Sequence, residues 1–282
     1  MAVDHLSLAT TPVVLLKGDN EVSQGTGFFY MQAFGDKQVL FLVTNYHVLT
    51  GSSPIEKKVP IGDNYVFQFH QSDVDTGVVK TIRFPLFTKK GRPIWIQPDK
   101  NPNADLAIIP LASSLYQDCK IACISEEWSK SNLRIRPTSA ITLIGYPYGF
   151  YDKKNSLPVW KTGNVASEPN IDFEGDPYFL IDISAFPGMS GSPVFAISYG
   201  TYETEDGNTT VGGVRKFLGI YASMQILKTE KYLEELPQTQ KAGITLTESL
   251  QLGHVWKANL IIQTVNSISV ERYEEEVLHD LG

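Results

Sequence analysis
The chain has 282 residues, of which 42% are hydrophobic, 20% charged and 11% aromatic. That excludes a disordered, collagen-like or coiled-coil protein and fits either two domains or one large all-β unit. Its 24 Lys and Arg against 31 Asp and Glu give a net charge of −7, which argues against nucleic acid as a partner, because binding a polyanion needs a basic face.

At the start of the chain, Val13–Leu16 is too short for the apolar core of an export signal, and Asp4 and His5 interrupt what precedes it. No window approaches 18 apolar residues, so no membrane span is expected. Cys119 and Cys123 are the only cysteines. In an extended strand their spacing holds the Cα atoms about 13 Å apart, too far for a disulfide. One such pair without neighbouring histidines is also a poor zinc signature. Two plain thiols and no export signal predict a soluble, cytoplasmic protein.

Short segments rich in Val, Ile, Phe, Tyr and Thr follow one another: Pro12–Leu16, Gly27–Gln32, Val39–Thr44, Tyr65–Phe69, Val79–Phe84, Leu106–Pro110, Ala140–Gly145, Tyr178–Ile183, Pro193–Ile197, Phe217–Ala222 and Val255 onward. With Gly, Pro, Asn and Asp between them, they read as the strands of an all-β barrel or sandwich. The predicted loops are Gly51–Asn64, Lys89–Ala104, Tyr151–Leu157 and Gly200–Gly212, the last with the turn dipeptide Asp206-Gly207. Helical patterns come late: a short charged one over Thr229–Leu236, one over Lys257–Asn266, and a Glu-rich amphipathic tail, Val270–Leu281, whose charged side reads as a solvated face. The polar stretch Ser125–Pro137 marks the expected boundary, which gives an N-terminal unit over 1–124, a second over 125–256 and a helical tail over 257–282.

Three motifs carry chemistry. In TNYHVLTG, His47 follows the apolar segment Val39–Thr44, where a rigid scaffold can fix a general base. In NADLAIIPL, Asp105 precedes an apolar run, where a buried carboxylate can hold an imidazole by its Nδ1–H. In AFPGMSGSPVF, Ser190 lies between Gly188 and Gly191 in a tight Pro-Gly turn that runs into a strand. Acyl transfer needs an exposed hydroxyl and free backbone N–H groups aimed at the developing oxyanion, and flanking glycines permit such a turn. Taken singly, His47 and Asp105 fit ordinary structural roles better than catalytic ones; the Ser190 turn does not. Together they give the order His, Asp, Ser at strand ends or turns of an all-β chain. That is the chymotrypsin order, unlike that of subtilisin or the α/β-hydrolases.

On these motifs the chain resembles the trypsin-like (chymotrypsin-fold) serine peptidases, and within them the disulfide-free bacterial branch that includes the HtrA/Deg proteases. SQGTGFFY (Ser23–Tyr30), LIGYPYG (Leu143–Gly149), PVWKTGNVAS (Pro158–Ser167) and FLGIYAS (Phe217–Ser223) match in family order, over roughly residues 10–266. The resemblance implies two six-stranded antiparallel β-barrels with the active site between them. His47 would be the general base and acid, Asp105 its orienting carboxylate and Ser190 the nucleophile. The backbone N–H groups of Gly188 and Ser190 would form the oxyanion hole. Ser184 would form the floor of the primary specificity pocket and Gly219, Ile220, Tyr221 and Ala222 its wall. The segment around Ser184 and Ala185 would pair with the backbone of a protein or peptide substrate.

The departures are informative. Val48 stands where secreted animal members carry a cysteine, and Met189 replaces the aspartate that pairs with a new N-terminus after zymogen cleavage. No Ile-Val-Gly-Gly start is present, so that mode of activation is not expected. Ser192 stands where many members have glycine, and no PDZ domain follows. Neutral Ser184 gives no support for cleavage after Arg or Lys and points to a neutral, apolar or small residue, with Tyr221 or Met224 narrowing the pocket. No cofactor or metal motif is present, and none is needed where an adjacent base activates the nucleophile. Without a zymogen segment, restraint by a regulatory partner is an expectation, with Phe186–Ser190 and Gly200–Gly212 as the segments to switch.

Two other readings are weaker. An α/β-hydrolase would use Ser190, Asp206 and His254, but it needs Gly-x-Ser-x-Gly and alternating helices, and the chain offers neither before residue 229. A catalytically silent binding module on the same fold has against it all three triad residue types and the glycines around Ser190.

Overall fold
A computed structural model describes residues 3–232, 243–269 and 273. A short helix α1 (His5–Leu8) leads into β1 (Thr10–Lys17), β2 (Asn20–Phe34) and β3 (Lys37–Thr44). The one-turn helix α2 (Tyr46–Thr50) follows, then β4 (Asn64–His70), β5 (Val79–Pro85) and β6 (Ala107–Leu111). These six strands form one antiparallel sheet in the order β5-β4-β1-β2-β3-β6. Its edge strands are joined through Leu86–Ile96: Ile94 N–H donates to Leu86, and Ile96 and Ile108 exchange both backbone hydrogen bonds.

The second half contributes β7 (Ala140–Gly145), β8 (Val159–Val165), β9 (Tyr178–Asp182), β10 (Pro193–Glu203), β11 (Thr209–Tyr232) and β12 (Gly243–Lys257). They close an antiparallel barrel in the order β10-β11-β12-β9-β8-β7, and α3 (Ala258–Asn266) follows. The architecture is thus all-β, with two six-stranded antiparallel sheets and a short C-terminal helix.

The continuous apolar run in β2 comes from burial on both faces. Side chains alternate across a strand, so Phe29 points into the first sheet's own core with Leu40, Leu42, Phe67 and Phe69. Phe28 and Tyr30 point the other way, into a cluster shared with Phe195, Phe217, Ile220 and Trp256 of the second barrel. The Phe28 and Phe217 rings meet edge to face, 5.6 Å apart, and such a pair contributes roughly 0.5–1.5 kcal/mol beyond its area. The interface between the halves is therefore part of the hydrophobic core, and it fixes His47 and Asp105 relative to Ser190. A third cluster, with Ile141, Leu143, Ile181, Met189, Tyr221 and Val255, fills the second barrel.

Several expectations change. Gly200–Gly212 is not a loop: β10 and β11 pair along it, Gly200 opposite Gly212 and Glu203 opposite Thr209. Only residues 204–208 turn, at Asp206-Gly207. A hairpin leaving a barrel continues its backbone ladder without needing apolar residues. Residues 229–232 are not helical either, because the same strand carries on, with Thr229 opposite Leu246 and Tyr232 opposite Gly243. Strand β8 had no clear signal, since VWKTGNV is mostly half-buried or exposed. The remainder of Thr229–Leu236 lies outside the described residues. So does Val270–Leu281, apart from Tyr273, which is not solvated: its ring is buried in the first core and its hydroxyl donates to the Ile94 carbonyl (2.8 Å).

Candidate active site
Strand β3 ends at Thr44, and α2 turns the chain back so that His47 stands at the rim of the first sheet. Gly51, in the left-handed region (φ +76°), closes this helix, and its N–H donates to the His47 carbonyl. Asp105 reaches the same rim just before β6, which pairs with β3 (Thr44 opposite Ala107). Its carboxylate is divided between two donors. Oδ1 accepts the backbone N–H of His47 (3.0 Å) and Oδ2 meets His47 Nδ1 at 2.5 Å. Buried Asn45 donates its amide to the Asp105 carbonyl (2.6 Å), which anchors the backbone as well. A carboxylate only accepts, so the proton lies on Nδ1 and Nε2 is left as the acceptor. The Asp105 side chain is 15% exposed and that of His47 31% exposed: the carboxylate is shielded while the ring still reaches the cleft.

Two consecutive turns position Ser190, which lies in the second. In Phe186-Pro187-Gly188-Met189, the Met189 N–H returns to the Phe186 carbonyl (3.0 Å), with Gly188 at φ +93°. This is the type II pattern, with Pro second and Gly third. In Met189-Ser190-Gly191-Ser192, the Ser192 N–H returns to Met189 (3.0 Å), with Gly191 at φ +89°. Met189 is fully buried and plugs the turn into the barrel core. The Pro187 carbonyl accepts the Tyr148 N–H (2.6 Å), and in a trans peptide the Gly188 N–H then points the opposite way. Among the described residues, neither the Gly188 nor the Ser190 N–H has a protein acceptor, as two donors kept for an incoming oxyanion would require. The Ser190 hydroxyl donates to the Ala222 carbonyl (2.8 Å) and not to His47.

His47 and Asp105 line a cleft of about 490 Å³ together with Asn103, the segment Gly51–Glu56 and, from the second barrel, Ala222, Ser223, His254 and Trp256. The remaining sequence-predicted pocket residues fall elsewhere. Ser184 is exposed, its hydroxyl on the Gln251 side-chain oxygen (3.1 Å). Gly219 lies in the ladder between Val194 and Lys257. Ile220 is fully buried in the shared core, and Tyr221 fills the second barrel. In the sequence His254 figures only in the weaker α/β-hydrolase reading and not as a residue of this cleft, yet period-2 alternation in Gly253-His254-Val255-Trp256 carries the signal, since inward Val255 puts His254 and Trp256 on the opposite face. Ser223 Oγ lies 3.3 Å from His254 Nδ1, and the Tyr178 ring is 4.7 Å from the imidazole. Burial holds the His254 pKa below the ordinary histidine value, against the opposing pull of Glu174.

The family described as the trypsin-like peptidase domain matches residues 25–201. Among solved structures, the chain is similar to an inactive form of Rv3671c from M. tuberculosis H37Rv (TM-score 0.46, 14% identity, 93% of this chain and 87% of that one). It is also similar to the serine endoprotease from Yersinia pestis (0.48, 12%, 98% and 68%). A third is the thermostable serine protease AL20 from an extremophilic microorganism (0.47, 13%, 93% and 97%). No curated protein matches the chain in sequence.

Proposed function
The chain belongs to the trypsin-like peptidase family and is a serine endopeptidase, and from that premise we propose that His47, Asp105 and Ser190 are its catalytic triad. The observation that carries this assignment is the divided grip of Asp105 on His47, which fixes both the tautomer and the ring. The Ser190 oxygen attacks the scissile carbonyl as His47 Nε2 takes its proton. The Gly188 and Ser190 N–H groups receive the negative charge on the carbonyl oxygen. His47 then passes the proton to the leaving amine, and water attacks the acyl-Ser190 ester by the same steps in reverse. The substrate is a protein or peptide.

The bond from Ser190 to the Ala222 carbonyl supports a resting, restrained enzyme. The hydroxyl must rotate away from Ala222 before His47 can accept its proton, so a regulatory partner or the substrate itself completes the site. Ser184, neutral and bonded to Gln251, supports a preference for a neutral residue at the cleaved position. We also assign residues 1–124 to the first unit, because Phe29, Met31 and Ile124 exchange backbone hydrogen bonds, and 125–256 to the second.

Incubation with a fluorophosphonate probe tests the triad. The expected result is a covalent adduct on Ser190 that Ser190→Ala abolishes. A folded chain that never labels, alone or with candidate partners, overturns the triad in favour of a catalytically silent binding module. Cleavage of a peptide library tests the pocket, and dominant cutting after Arg or Lys would overturn the neutral preference.

A further inference from the structure
We propose that Thr26, in the first sheet, is the positioning residue that sets the oxyanion turn of the second barrel. This rests on the assignment of Gly188 and Ser190 as the oxyanion donors.

Thr26 is fully buried in β2, on the opposite side of the interface from Ser190. Its backbone N–H donates to the Ser190 carbonyl (2.8 Å). Its hydroxyl donates to the Gly188 carbonyl (2.8 Å) and accepts the Tyr146 N–H (3.1 Å). A threonine hydroxyl has one proton, and the Tyr146 N–H occupies a lone pair, so that proton is committed to Gly188. The Thr26 carbonyl is held in turn by the Thr44 hydroxyl (2.7 Å). The turn lies flush on this strand: a Cβ built on Gly191 would stand 1.8 Å from the Thr26 carbonyl oxygen.

The consequence follows from peptide geometry. The Ser190 N–H belongs to the peptide unit between Met189 and Ser190. Thr26 holds the carbonyls of the units on either side of it, one through its hydroxyl and one through its backbone. The Gly188 N–H is fixed at both ends of its torsion, by Tyr148 on the Pro187 carbonyl and by Thr26 on the Gly188 carbonyl. Glycine at φ +93° has no Cβ to restrict that torsion, so these hydrogen bonds restrict it. Without the hydroxyl, the Gly188 carbonyl loses its donor, which leaves that peptide unit held only by the Met189 N–H on the Phe186 carbonyl, and the Tyr146 N–H loses its acceptor. The oxyanion donors then lose alignment while the triad stays intact.

The test compares Thr26→Val, which keeps shape and backbone but removes the hydroxyl, with Thr26→Ser, which keeps the hydroxyl. Rates are normalised to folded protein. Removing one oxyanion donor outright costs about 10²–10³ in kcat; misaligning donors costs less, so Thr26→Val should lose about 10–100-fold in kcat with KM within about threefold of wild type, and Thr26→Ser should stay within about threefold in both. A Thr26→Val kcat within threefold of wild type, or a Thr26→Ser as impaired as Thr26→Val, overturns the proposal. Amide exchange supplies a readout independent of activity. Thr26→Val should speed exchange at Met189 by at least about tenfold while Gly191, whose peptide unit is held by the retained backbone bond, changes far less. Equal exchange at Met189 in wild type and Thr26→Val overturns the proposal even if wild type never labels, an outcome that by itself would sink only the triad.

Discussion

Replacing Asp105 by Asn keeps the shape of the side chain and removes its charge, and the structure says what must follow. The wild-type carboxylate faces two donors, the His47 N–H on Oδ1 and His47 Nδ1–H on Oδ2. An amide has one oxygen. The backbone N–H cannot give up its proton, so the amide oxygen stays on it and the NH₂ turns toward Nδ1. His47 then shifts its proton to Nε2, the atom that must accept from Ser190. Holding the productive tautomer instead sets two donors against each other, a cost of about 1–3 kcal/mol. The lost carboxylate also no longer stabilises the imidazolium formed in the transition state, worth about 4 kcal/mol for charges near 4 Å apart at an effective dielectric of ~20. At about 1.4 kcal/mol per decade, these terms amount to a loss of roughly ten-thousandfold, the scale known for such a change in a Ser-His-Asp triad. The assay is the second-order rate of fluorophosphonate labelling, and kcat/KM on the best library peptide, with thermal melting to confirm the fold. Labelling of Asp105→Asn within about tenfold of wild type would refute the argument.

Two further predictions concern the frame around the site. Gly191→Ala adds a Cβ that would stand 1.8 Å from the Thr26 carbonyl at φ +89°; backbone strain and overpacking of about 1–3 kcal/mol each should lower the denaturation midpoint sharply and abolish labelling, and an unchanged midpoint would contradict the packing described. Acidification should destabilise the fold through His70. Burial holds its pKa below 6.5, opposed by its hydrogen bond to the Thr76 carbonyl. The folded ring therefore resists a proton that the unfolded chain takes up. The stabilising contribution is complete above pH 6.5 and is lost as pH falls from there toward the folded-state value. Melting temperature should drop between pH 7.5 and 5.5, and His70→Gln, which can still donate to Thr76, should flatten that drop; an equal slope in the variant would assign the effect elsewhere.

Most of the strands were legible because their signals are local. Ala140–Gly145 carries its apolar alternation and its turn residues on the page, and α3 shows its helical spacing. What escaped was structure imposed by neighbours. The outer half of the β10–β11 hairpin and the start of residues 229–232 look like loop and helix because their side chains are polar, while the backbone ladder that makes them strands belongs to the barrel they leave. Strand β8 lacks a pattern because its faces are only partly covered. The tail reads as an exposed amphipathic helix with Tyr273 among its apolar residues, yet nothing in the sequence names the first core as what buries that ring or Ile94 as what its hydroxyl meets.

For the site, the sequence by itself determined which groups exist: an imidazole at a strand end, a carboxylate before an apolar run, and a hydroxyl framed by glycines whose positive φ values the turn demands. Tertiary structure alone decided which of them meet and in what state. It brought Asp105 onto both donors of His47, turned the Ser190 hydroxyl to Ala222 and laid Thr26 across the oxyanion turn. It also added His254 to the cleft and withdrew Ile220 and Tyr221 into the cores. The reason is physical: local sequence sets backbone torsions and the face a side chain takes, whereas hydrogen bonds between residues far apart in the chain depend on how two sheets pack, and the apolar cluster around Phe28 and Phe217 fixes that.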